Sequence, residues 1–159
     1  MEKILFTMFS SLFIIAACTS PMGSVGSTHE HATFKVFLDG KEFNFSERKY
    51  MVRDEYVHVE GGDGETIHKH ATGVNLGFFF NTMGLKFDEQ CFKTDSGDFC
   101  SNNEKKLKFY VNGVKNEEYD SHEIRDGEKY LITYGNENNA EIQKQLEAVR
   151  ILKWKRYYF

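Results

Sequence analysis

The chain has 159 residues, a formal net charge of −4 and a mean hydropathy of −0.53. That length suits one domain with one core, and with no basic block before Lys153 to Arg156 there is no electrostatic footprint for nucleic acid. Fifteen phenylalanines and eight tyrosines predict an aromatic-rich, mostly β core.

Lys3 forms a small positive start, and Ile4 to Ala17 is an apolar run of signal-peptide length, too short to span a bilayer comfortably. It ends in Ile15-Ala16-Ala17-Cys18, which resembles the lipobox of a prokaryotic lipoprotein. The expectation is a signal peptide over 1–17 and a lipid on Cys18, holding an extracytoplasmic chain at a membrane surface. Residues 18–28 are small, polar and glycine-containing, and read as a tether. That leaves a single domain over 29–152 and an aromatic, basic tail over 153–159.

His31 to Phe45 holds two alternating runs joined at Asp39-Gly40, a strong hairpin signal. Ala32, Phe34, Val36 and Leu38 are predicted on the core face, with His29, His31, Thr33 and Lys35 on the other. A second hairpin is predicted for Tyr56–Glu60 with Glu65–His70. Pairing Val59 with Ile67 keeps the apolar residues together, and places His58 opposite His68 and Tyr56 opposite His70. The register implies a three-residue loop centred on Asp63, with Gly64 in the left-handed position.

Asn75 to Gly84 reads as a short amphipathic helix capped by Asn75 and ended by Gly84, with Leu76, Phe79, Phe80 and Met83 toward the core. Cys91 and Cys100 remain as an even pair, and a turn at Asp95-Ser96-Gly97 lets them bridge a hairpin. Leu107 to Val111 is a strand, Asn112-Gly113 a turn, Glu128 to Tyr134 another strand, and Ala140 to Val149 a final helix. Residues 34–40 echo 107–113, and Asp63-Gly64-Glu65 echoes Asp126-Gly127-Glu128. The predicted class is α+β: hairpins around a short helix, β-grasp-like, with a C-terminal helix.

The chemistry lies in the histidines. His29 and His31 form one His-X-His, His68 and His70 another, and His58 sits on the strand paired with the latter. Residues i and i+2 of a strand project to one side about 7 Å apart, so each pair can converge on one ion. Glu60 is placed to ligate as well or to orient an imidazole from behind, and Asp63 is a further candidate for that outer role. His122 stands apart and is expected to be solvated. Imidazoles without a thiol or methionine cluster suit copper(II) or zinc(II). Binding needs neutral rings, so affinity is expected to fall as pH drops through about 6.5. Two other readings stay open: an interaction module engaging a membrane protein, with incidental histidines, and a hydrolytic zinc enzyme at the same site. No His-Glu-X-X-His, Gly-X-Ser-X-Gly or P-loop pattern supports the enzyme.

His29 to Ala32, Tyr56 to His58, Ile67 to Gly73, Leu76 to Phe80, the cysteine pair and Asp126 to Gly135 together resemble a group of small exported proteins. The group belongs chiefly to ammonia-oxidising and related marine archaea, and the likeness runs over most of 29–150. Some members carry the label protein-disulfide isomerase by automated transfer. The residues argue against that activity here. Cys91 and Cys100 lack a Cys-X-X-Cys arrangement and lie near Asp88, Glu89 and Asp98, which disfavour a thiolate.

Overall fold

The computed structural model describes residues 22–150; the expected signal peptide, Cys18 and the aromatic tail lie outside them. In chain order the strands and helices are β1 (Glu30–Leu38), β2 (Lys41–Glu42), β3 (Val57–Glu60), β4 (Asp63–Lys69), α1 (Leu76–Thr82), β5 (Lys86–Phe87), β6 (Cys91–Thr94), β7 (Gly97–Cys100), β8 (Lys106–Val111), β9 (Val114–Lys115), β10 (Lys129–Gly135) and α2 (Asn139–Ala148). The protein is α+β, as its pattern predicted.

The main sheet runs β3-β4-β1-β10-β8-β9, with β2 hydrogen-bonded to β1. β1 and β10 lie parallel at its centre, with Val36 opposite Ile132, while β4 and β8 flank them antiparallel. Two antiparallel halves joined through a helix, with outer members of the chain paired at the centre, is the strand order of a β-grasp arrangement. The echo between 34–40 and 107–113 is structural. Both segments are strands ending in a turn with positive φ at each central residue, Asp39 and Gly40 in one, Asn112 and Gly113 in the other.

Alternation divides β1 between two faces. Ala32, Phe34, Val36 and Leu38 join the main core with Ile67, Phe79, Phe80 and Ile132. Asn75 caps α1 by accepting from the Phe78 N–H, and Phe34 meets Phe79 and Phe80 ring to ring at 5.3 and 6.1 Å. On the opposite face α2 covers Phe37 and Leu131 through Leu146 and Val149. α2 starts with a reciprocal cap between Asn138 and Glu141.

β5, β6 and β7 form a separate small sheet. Cys91 and Cys100 face each other across the β6–β7 hairpin and are joined as a disulfide. Closing so short a loop stabilises the fold by about 2–3 kcal/mol in the chain-entropy estimate. Phe92 on β6 and Phe87 on β5 pack this small sheet onto Phe80, at 5.1 and 5.5 Å.

Three expectations are corrected. The hairpin between β3 and β4 turns through Gly61 and Gly62, both at positive φ, with Glu60 opposite Asp63. Two consecutive glycines satisfy a two-residue turn, and an irregularity between His58 and Glu60 takes up the difference, so no three-residue loop forms. Gly64 is instead needed for closeness: a Cβ there would come within 2.4 Å of the Phe45 carbonyl carbon and the Ser46 nitrogen. The described part of the expected tether is hydrogen-bonded rather than loose. Gly23 N–H donates to Thr72, Gly26 N–H to the His70 carbonyl, and Thr72 N–H to Ser27 Oγ. His122 is buried at 2% exposure, not solvated. The turn Tyr119–Ser121 aims it inward, where Glu118 and Glu128 carboxylate oxygens replace water at 2.6 and 2.9 Å from its two ring nitrogens.

Candidate metal centre

β1 and β4 run antiparallel, with Glu30 opposite Lys69 and His31 opposite His68. The middle residues of the two His-X-His motifs therefore point to the core side while the histidines share the other. Lys69 is 1% exposed, and its ammonium donates to Glu30 at 3.0 Å, Glu123 at 3.2 Å and the Ile124 carbonyl at 2.6 Å. A buried ammonium holding three acceptors ties β1, β4 and the 123–124 segment together, and a slipped register would strand it without them. The backbone of His31 is held from the other side. Its N–H donates to Asp126 at 2.9 Å and its carbonyl accepts from the Gly127 N–H at 2.7 Å.

β3 adds the third element. His58 lies opposite His68, and His70 N–H donates to the Tyr56 carbonyl. All five predicted histidines come together as a closed ring of neighbours. Ring centroids are 4.8 Å apart for His29–His31, 4.7 Å for His31–His68, 5.9 Å for His68–His58, 5.0 Å for His58–His70 and 4.9 Å for His70–His29. Within it, His29, His31 and His68 each offer a ring nitrogen, all within 4.8 Å of one another. His29 Nε2 and His31 Nε2 stand 3.2 Å apart. Two ligands on one tetrahedral ion with bonds of about 2.0–2.1 Å are separated by about 3.4 Å. This cluster can hold a metal ion with small ring rotations.

The remaining predicted residues divide. Glu60 faces the ring, with its two oxygens 3.5 Å from His58 Nε2 and 3.7 Å from His68 Nδ1. Asp63 does not join it. Its carboxylate takes hydrogen bonds from the Glu65 N–H, Thr66 and Arg150. Burial alone would raise the Asp63 carboxyl, but those donors, Arg150 foremost, outweigh it and hold the group low. Tyr56 turns its ring toward Phe78 rather than the histidines. The sequence reading missed Asp54, whose carbonyl lies 2.8 Å from His58 Nδ1, and the Lys69 bracket. Alternation along His29-Glu30-His31 and His68-Lys69-His70 was the signal for that bracket, since it places opposite charges together on the core side.

Burial lowers His31, His68 and His70, and neighbouring imidazoles add to it. Glu60 opposes the shift at His68, which still falls to about 4. A depressed histidine is neutral in the fold, so the proton begins to compete for His68 only near pH 4. The expected fall in affinity through about 6.5 is therefore moved to lower pH. Three ordinary imidazoles would lose about 50-fold in affinity between pH 7.5 and 6.0 from protonation alone. Because His31 and His68 are both held neutral to lower pH by burial, the loss over that range is expected to be smaller than this, read from competition titrations with zinc(II). The sign for the metal-free fold follows: stability is full above pH 6.5 and declines toward pH 4, as the unfolded chain takes up the proton first.

Comparison with protein-family models, curated proteins and solved structures finds no significant match, so the chemistry of the site rests on its own residues.

Proposed function

We propose that this is an exported, lipid-anchored protein that binds a copper(II) or zinc(II) ion through a histidine-lined sheet face. The observation that carries the metal reading is the convergence of His29, His31 and His68, with ligand nitrogens within 4.8 Å of one another. Imidazole nitrogens suit both ions, and a three-histidine set leaves a coordination position open for a further ligand or an incoming acceptor. That open position fits capture and delivery at a membrane surface better than permanent structural retention.

Export and anchoring are supported by the apolar leader ending in Ala16-Ala17-Cys18, by the likeness to exported archaeal proteins, and by a disulfide that needs an oxidising compartment. Among the described residues no helix is long and apolar enough to cross a membrane. The test is elemental analysis of the chain purified without a polyhistidine tag or chelator, before and after dialysis against zinc(II) or copper(II) at pH 7.5. At least one ion retained per chain is the expected outcome, and failure to take up either ion overturns the metal reading.

A further inference from the structure

The three triad histidines are not held alike. His31 and His68 face each other on β1 and β4, inside a paired stretch that continues to Thr33 and Thr66. His29 precedes β1, is exposed, and closes the segment that runs back to Met22. That segment lies against the backbone of residues 70–72, beside the site. Gly26 N–H donates to the His70 carbonyl at 2.7 Å, Gly23 N–H to the Thr72 carbonyl at 3.0 Å, and Thr72 N–H to Ser27 Oγ at 3.0 Å. A Cβ at Gly23 would stand 2.4 Å from Thr72 Oγ1, so the close fit depends on glycine there.

The segment's own hold on the domain is slight. Its two large apolar side chains, Met22 and Val25, keep 46% and 41% exposure, so these hydrogen bonds act with little apolar burial behind them. A stretch held in that way opens locally at small cost. It is tied to the site at its other end. Only Ser27 and Thr28 separate Gly26 from His29, and the His29 ring packs against His70 at 4.9 Å between centroids. His70 therefore gives its carbonyl to Gly26 and its ring to His29. Swinging the segment away turns the backbone that aims His29. Conversely, a His29 ring fixed by an ion holds the segment against residues 70–72.

We propose that metal binding at the triad locks residues 22–28 onto the domain, with His29 as the ligand that couples the two. The lock rests on the metal reading of the triad. An ion on His31 and His68 gains its third nitrogen only where the segment is docked, so ion and docking favour each other by the same factor. On the lipid-anchored reading this sets the length of the leash. With the segment docked, the free chain runs five residues from Cys18 to Gly23 and reaches about 17 Å. Undocked, it runs twelve residues from Cys18 to Glu30 and reaches about 40 Å. A loaded domain is held close to the membrane, and an empty one ranges further from it.

The test is amide hydrogen exchange of Gly23 and Gly26 in the full chain at pH 7.5, metal-free and at saturating zinc(II), with bound zinc counted in the same samples. Exchange at both is expected to slow at least about fivefold with zinc. The Asn116 amide, which donates to the Phe109 carbonyl beyond the β8–β9 turn, is expected to keep its rate. Gly23→Val leaves every histidine in place and is expected to weaken zinc binding at least about fivefold. Bound zinc with no slowing at Gly23 and Gly26, or with equal slowing at Asn116, overturns the lock and leaves the triad standing. Unchanged zinc affinity in Gly23→Val does the same. Absence of bound zinc overturns the metal reading and the lock with it.

Discussion

Replacing Lys69 by methionine is expected to destabilise the metal-free protein by about 3 kcal/mol, because removing one partner of a buried pair leaves the other charge uncompensated. Methionine keeps most of the stem that fills the core, so the loss reads the ammonium rather than a cavity. Glu30 and Glu123 keep 25% and 39% exposure, which lets water reach them and places the cost at the low end of the usual 3–5 kcal/mol. The Ile124 carbonyl loses its 2.6 Å donor as well. Adding Glu30→Gln to the variant is expected to recover part of the loss, since an amide is cheaper to leave there than a carboxylate. Urea unfolding at pH 7.5 is the measurement. A change below 1 kcal/mol would mean that Lys69 does not hold β1 against β4, and the explanation of the histidine register would fail with it.

The second large effect concerns binding. The double variant His31→Ala/His68→Ala removes two of the three triad nitrogens and the pair that face each other across β1 and β4. Losing even an outer hydrogen-bond partner of a metal ligand costs about 10–100-fold in affinity, so losing two direct ligands is expected to cost at least about 10³-fold. The fold should persist, since neither ring belongs to the main core cluster and the flanking Glu30–Lys69 pair is untouched. An unchanged far-ultraviolet spectrum alongside the lost affinity separates binding from folding.

How much of this was legible in the sequence differs from element to element. Strict alternation in β1 identified its core face, and the Asn75 cap with its apolar spacing identified α1, because local chemistry decides both. The pairing of His58 with His68 was also legible, since the apolar residues of both strands had to meet on one side. The turn between them was misread. Gly61, Gly62 and Gly64 are all permissive glycines, and only the close approach of Phe45 and Ser46 shows that Gly64 is needed for space rather than for a left-handed backbone.

The site was legible as a set of residue types and less so as a constellation. Alternation brought five histidines to one face, but their division into a triad and a flanking pair follows from distances that no spacing rule gives. Asp63 looked equivalent to Glu60 in sequence. Arg150, 87 positions later, draws its carboxylate away from the histidines. His122 gave no local signal of burial, because the carboxylates that replace its water come from Glu118 and Glu128 through a turn of irregular backbone.

The most direct test of the histidine centre is a competition titration with zinc(II) and copper(II) at pH 7.5, run side by side on the unaltered chain and the His31→Ala/His68→Ala variant. Tight uptake by the unaltered chain, reduced at least about 10³-fold in the variant, is the result expected of a metal centre built on β1 and β4. Equal affinity in both proteins, or no uptake by either, would contradict it.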